Sequence, residues 1–200
     1  MSLINVLDLI GTFVFAISGT LAAREKKLDI FGAIFVASVT AIGGGTTRDS
    51  ILGATPVFWI MDPNYLIIIT AAVAFSVLFK KIVAQLRTTL FLFDTLGIGV
   101  FTFIGTQKAM LLGVPPVICI VMGTFTAVLG GVIRDTLCND VPLIFREEIY
   151  ATACLVGGSV FVILHQFNID DTICTWTCIT TVIGIRLLAI KYHLTLPKLD

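Results

Sequence analysis

The sequence predicts an all-α integral membrane protein, and three observations carry the prediction: its composition, its long apolar runs with few charges and an internal duplication. Of 200 residues, 57% are hydrophobic and 13% charged, with a mean hydropathy of +1.03. That is more apolar surface than one water-soluble core could hide. Apolar runs of about 18 or more residues can cross a hydrocarbon layer about 30 Å thick as helices. Seven such runs occur, at about 3–23, 30–53, 64–83, 90–112, 116–138, 148–166 and 172–190. They are continuous rather than alternating, which disfavours a β-barrel.

The duplication appears when the sequence is slid against itself by 86 residues without a gap. Asp8 to Phe58 then lies over Asp94 to Ile144, with 15 identities in 51 pairs. Asp8/Asp94, Gly11/Gly97, Phe15/Phe101, Gly19/Gly105 and Pro56/Pro142 are among them. So are Gly44, Gly45, Arg48 and Asp49 over Gly130, Gly131, Arg134 and Asp135. Self-similarity at a fixed period marks a repeated structural unit. The chain therefore reads as a single membrane domain, with repeat one at about 3–84, repeat two at about 90–170 and an extra helix at about 172–190.

The first run carries Gly11, Phe15 and Gly19 at intervals of four, a small-residue face that lets a second helix approach closely. Asp8 lies inside this run, where an ionised group must be paired or wetted. In the second run the triplet Gly43, Gly44 and Gly45 is followed by Thr46, Thr47, Arg48 and Asp49. Each helix-interior glycine costs about 1 kcal/mol relative to alanine. Close helix crossing would ask for one or two glycines. A helix broken beside an aqueous path also accounts for the adjoining charges and for their recurrence, and is the favoured reading.

The third run is featureless and reads as a wall facing lipid. The fourth opens the second copy with Asp94 and ends in Thr106, Gln107 and Lys108, the lysine standing where copy one has Ala22. Lys108 admits two readings, a side chain snorkelling to the outer interface or a charge in a permeation path. The fifth run reaches Gly130 and Gly131, then Arg134 and Asp135. Arg146, Glu147 and Glu148 are expected as a solvated start to the sixth helix. His165 reads as an outer loop residue, and the five cysteines as apolar filler. No His/Cys constellation suggests a metal site, no cofactor is expected, and no nucleophile–base pair suggests an enzyme.

Charge sets an orientation. Arg24, Lys26, Lys27, Lys80, Lys81, Arg87, Arg134, Arg146, Arg186, Lys191 and Lys198 all fall on one side of a seven-helix arrangement, leaving Arg48 and Lys108 towards the other. The positive-inside rule puts the N-terminus outside and the C-terminus in the cytoplasm. Residues 1–23 lack a basic leading region and read as a retained helix. Each copy makes three crossings, an odd number, so the second copy enters the membrane upside down, giving an inverted 3+3 repeat plus a seventh helix. Asp8, Arg48 and Asp49 then belong to the outer half and Asp94, Arg134 and Asp135 to the inner half. These charges could tie helices together, but buried ion pairs stabilise inefficiently. Two symmetric sets beside two glycine clusters argue better for a hydrated route along the second and fifth helices.

The paired motifs, Gly43 to Asp49 and Gly130 to Asp135, in a seven-helix chain of this size, resemble the prokaryotic branch of the TRIC family, the trimeric intracellular cation channels. The resemblance covers essentially the whole chain. It implies a homotrimer in the prokaryotic plasma (inner) membrane, among lipids and without nucleic acid. Each protomer would hold a pore for potassium or sodium ions, lined by helices kinked at the glycines. Copy two has Leu129 where copy one has Gly43, so a stiffer inner kink is expected. Gly105 to Ala109 also resembles the family, in which a basic residue of the fourth helix is linked to gating; that role falls to Lys108. The family has also carried a glycine-transporter label, which leaves a small-solute carrier as the alternative. Because bare arginines repel cations, Arg48 and Arg134 are expected to be engaged by aspartates, with permeant ions met by carbonyls and hydroxyls of residues 43–47 and 130–136.

Overall fold

The computed structural model describes residues 3–79, 86–146, 149–192 and 194, with the side chains of 86–88 left aside. Lys80, Lys81, the Arg87 side chain, Glu147, Glu148 and Lys198 lie outside the described residues, as does the expected end of repeat one. All regular structure among the described residues is helical: α1 (Leu3–Glu25), α2 (Ile30–Ile51), α3 (Asn64–Leu78), α4 (Leu86–Leu111), α5 (Pro116–Leu137), α6 (Leu143–Arg146), α7 (Ala151–Gln166) and α8 (Asp171–Tyr192).

Five of these, α1, α2, α4, α5 and α8, are long and apolar enough to cross a membrane, while α3 and α7 are shorter apolar helices. The four-residue α6 was not expected. Arg146 ends it instead of opening the sixth long helix, which begins at Ala151. The chain turns at Asn139, whose φ of 54° is left-handed, and the backbone N–H of Leu143 donates to the Asp135 carboxylate at 2.9 Å. That bond folds the segment after α5 back onto its end.

Packing repeats as the sequence does. α1 packs on α2 and α3, and α2 on α3; α4 packs on α5 and α7, and α5 on α7. Across the two sets, α1 meets α4 and α2 meets α5, while α8 rests on α7 and α4. The core includes Phe15, Ile17, Leu21, Ile98, Phe103 and Phe161. Phe15 and Phe101, equivalent positions, pack ring to ring at 5.0 Å. Large apolar side chains such as Phe31, Leu78, Val117, Phe145 and Phe167 stand exposed around the outside, as a lipid-facing surface requires. α3 is more than a wall: it buries Tyr65, Ile69, Ala72, Val73 and Ser76 against its neighbours.

The expected interruption of the glycine-bearing helices is not seen. α2 and α5 run as helix through Gly43–Gly45 and through Gly130–Gly131. The glycines seat the crossing instead. A Cβ on Gly44 would overlap the carbonyl oxygen of Thr126 on α5, and one on Gly130 would overlap that of Thr40 on α2. Backbone therefore lies on backbone in a reciprocal contact, which only glycine permits.

Candidate functional site

Threonines and serines within α2 and α5 donate their hydroxyls to carbonyls four residues back: Thr40 to Val36, Thr46 to Ile42, Thr47 to Gly43, Thr126 to Met122 and Thr136 to Val132, at 2.6–2.9 Å. Such back-bonding gives a carbonyl a second donor and lets a membrane helix bend without stranding polar groups. It spends the hydroxyl protons and leaves lone pairs on the oxygens expected to meet ions.

At one end of the α2–α5 pair stands a cluster built on Asp49, which is wholly buried. Arg48 approaches its Oδ1 with Nε at 2.8 Å and Nη2 at 2.7 Å. Its Oδ2 accepts from Lys108 Nζ at 2.7 Å and from the backbone N–H of Phe58 at 3.2 Å. Arg48 thus pairs with Asp49 and leaves Asp8 to the hydroxyl of Tyr65, which donates to it. Phe58 caps the group. Its ring lies 5.8 Å from the Arg48 guanidinium and 5.9 Å from the Lys108 ammonium, packs edge-on to Tyr65 at 4.8 Å, and would stand 2.6 Å from a Cβ on Gly45. The indole N–H of Trp59 donates to Thr46 Oγ1 at 3.0 Å, tying the same loop to α2. The Lys108 side chain is 30% exposed.

At the other end Arg134, with no exposure, is held by three groups. Its Nη1 donates to Asp94 Oδ1 at 2.7 Å and to Ser18 Oγ at 2.6 Å, and its Nε to Asp135 Oδ1 at 2.7 Å. Asp94 is wholly buried as well. Beside Gly131 three polar atoms converge: a Cβ there would stand 3.0 Å from Tyr150 Oη, 3.4 Å from Asp94 Oδ1 and 3.6 Å from Arg134 Nη2. Tyr150 Oη, Arg134 Nη2 and Asp94 Oδ2 are buried and have no partner among the described residues. A cavity of about 260 Å³ opens below this cluster, with Glu25, Asp135, Asp140 and Arg146 in its wall. At its rim Asp140 pairs with Lys26 at 2.9 Å and with Arg146 at 3.6 Å, and holds the Lys26 ammonium above its ordinary pKa range.

Both sequence-predicted arginines are therefore engaged by aspartates, and the two sets lie at opposite ends of one helix pair. Between them Gly44 and Gly130 bring α2 and α5 into contact, leaving no room for an ion at the crossing. Gly43 faces only the Ile133 side chain. All five cysteines are buried and free, and no group of three or more metal-ligating side chains occurs among the described residues. His165 pairs loosely with Asp171 at 3.7 Å.

Sequence reasoning missed Ser18, Phe58, Tyr65, Tyr150 and Arg186. The tyrosines were within reach. Tyr65 and Tyr150, like Phe58 and Leu143, are 85 residues apart and not 86, so a gapless comparison loses them one residue past Pro56 and Pro142. Arg186, counted among the cytoplasmic charges, has no exposure at all and lies over the Tyr150 ring at 4.6 Å.

Duplicated helical packing around two buried arginine–aspartate clusters defines a multi-pass membrane protein with a TRIC-like fold. A sequence model of the family described as "Glycine transporter" matches twice, over residues 5–81 and 91–166, once per copy. The chain belongs to this family. It is 42% identical over 197 residues to a UPF0126 membrane protein of Vibrio cholerae serotype O1, covering 98% of this chain and 82% of that one. It is also 42% identical over 200 residues to the UPF0126 inner membrane protein YadS of Escherichia coli K12, covering 98% and 95%. Among solved structures it resembles a TRIC trimeric intracellular cation channel orthologue from Rhodobacter sphaeroides, with a TM-score of 0.93, 34% identity, and coverage of 97% of this chain and 100% of that one. A second structure, described as showing the basis for conductance through TRIC cation channels, matches with a TM-score of 0.88 at 30% identity over 100% and 98%.

Proposed function

We propose that the chain is a monovalent cation channel, conducting potassium, with one pore in each protomer of a homotrimer in the inner membrane of a prokaryote. Seven helices cross the membrane, the two three-helix repeats are inverted, and the positive-inside rule places the N-terminus outside and the C-terminus in the cytoplasm. The observation that carries the reading is the pair of neutralised arginine–aspartate clusters at the two ends of the α2–α5 pair. Pairing removes the barrier that bare arginines would present to cations. Carboxylate oxygens remain to attract them, and the polar cavity beneath Asp135 admits water from the inner side. Likeness to cation channels along nearly the whole chain supports the same reading.

In this reading the arrangement seen is a closed one. Opening separates α2 and α5 at Gly44 and Gly130, with the glycines as hinges and residues 43–47 and 130–136 as the walls. Lys108 gates the outer end, because its 2.7 Å bond to Asp49 is the contact in that cluster that a partly exposed side chain can release. The alternative, a small-solute carrier built on the same helices, is favoured only by the family's description as a glycine transporter.

Purified protein in planar bilayers separates them. A channel gives ohmic unitary currents that reverse at the potassium equilibrium potential. Saturable glycine uptake into proteoliposomes without unitary steps would overturn the channel reading.

A further inference from the structure

Each duplicated cluster, taken alone, is short of positive charge. Asp8, Arg48 and Asp49 sum to one negative charge, as do Asp94, Arg134 and Asp135. In the outer cluster the deficit is met by Lys108, which the duplication did not supply, since its counterpart is Ala22. The inner cluster has no lysine at the matching place.

Arg186 occupies a corresponding role from another direction. It comes from α8, outside the duplication, and is fully buried, and among the described residues none forms an ion pair with it. Its Nη1 donates to the Ile149 carbonyl at 3.2 Å, its Nε and Nη2 have no partner among the described residues, and its guanidinium lies over the Tyr150 ring. The hydroxyl of that ring reaches the point beside Gly131 where Asp94 and Arg134 also converge. A buried cation without a carboxylate of its own is costly, and is tolerated where a nearby excess of negative charge compensates it. The inner cluster is such an excess.

We propose that Arg186 is the inner counterpart of Lys108: a positioning residue that fixes Tyr150 and brings the inner end of the pathway to zero net charge. Each end is then balanced by one basic residue from outside the repeat symmetry. Lys108 does so by touching Asp49. Arg186 does so through the Tyr150 ring, without touching the carboxylates. The inference rests on the channel reading, because its consequence is electrical: neutral ends give a symmetric current–voltage relation, and removing one balancing cation makes one end attract cations.

The test is patch recording from giant bacterial spheroplasts, in which every copy shares one orientation, on wild type, Arg186→Gln, Arg186→Lys, Lys108→Gln and the double variant K108Q/R186Q. Arg186→Gln is expected to raise current carried by cations entering from its own end about two- to four-fold, the Boltzmann factor for one unit charge about 10 Å away at an effective dielectric constant of about 40–80. Lys108→Gln rectifies in the opposite sense, the double variant is again near-linear, and Arg186→Lys keeps the wild-type shape. Arg186→Gln channels that conduct with a linear relation would overturn the inference, since a packing role changes the number of channels and not the shape of the current. Should Arg186→Gln fail to fold, R186Q/D94N decides, because it removes one charge of each sign. Recovered protein with near-linear currents supports charge balance, and a second failure to fold overturns it. Absence of cation currents in wild type would instead defeat the channel reading itself.

Discussion

The Asp49 and Arg134 clusters descend from one motif and have been finished differently. In the first, a single buried carboxylate gathers Arg48, Lys108 and the Phe58 amide, a partly exposed lysine completes the set, and an aromatic ring fills the space over Gly45. In the second, a single buried guanidinium gathers Asp94, Asp135 and Ser18, and the space beside Gly131 is lined by polar atoms. One end is organised around an anion with a movable cation, the other around a fixed cation. Duplication supplied equal parts, and side chains that the two copies do not share, Ser18, Phe58 and Lys108, made the ends unequal.

The largest difference should come from removing the arginines. Breaking a buried ion pair by deleting one partner costs about 3–5 kcal/mol, because the other charge stays buried and unpaired. Arg134→Ala strands two carboxylates and should show that full loss as a lower unfolding temperature in detergent or as absence of folded protein. Arg48→Ala leaves Asp49 with Lys108 and the Phe58 amide, so it should fall well short of that loss. Equal losses at the two sites would erase the distinction between an anion-centred and a cation-centred cluster.

The crossing gives the next effect. Alanine at Gly44 or Gly130 must push its methyl group into a partner backbone carbonyl, and overpacking of this kind costs typically about 1–3 kcal/mol. Gly43→Ala meets only the flexible end of Ile133 and should fall below that range. Matching melting curves for Gly43→Ala and Gly44→Ala would remove the crossing as the reason for the glycines.

The membrane class, the two copies and all four motif arginines and aspartates were legible because each leaves a one-dimensional trace: hydropathy, self-similarity, or a charge in an apolar run. What the sequence concealed is contact between elements far apart in it. The glycine clusters read equally as breaks or as crossings, and only the approach of Thr40 and Thr126 decides that they seat a crossing here. Arg186 looked like a cytoplasmic charge because it sits near the basic end of a helix; nothing local tells that α8 turns it inward onto Tyr150. The tyrosines escaped through a one-residue shift in the repeat.

Those tyrosines supply the finest discrimination between the halves. Tyr65 donates to Asp8, and a hydrogen bond to a charged group contributes about 1.5–3 kcal/mol, so Tyr65→Phe should lower stability by an amount of that order. Tyr150 stands at the equivalent place, but its buried hydroxyl meets no partner. Deleting an unsatisfied hydroxyl while keeping the ring removes no bond and relieves a desolvated group, so Tyr150→Phe should be neutral or slightly stabilising. The ring stays under Arg186, and the cation–π contact at 4.6 Å survives the change. Paired unfolding measurements on the two variants therefore ask whether Tyr150 serves the Arg134 cluster through its ring or through its hydroxyl. A loss at Tyr150→Phe as large as at Tyr65→Phe would mean that the hydroxyl carries a bond to Asp94 or Arg134, and that the two halves are more alike than their geometry shows.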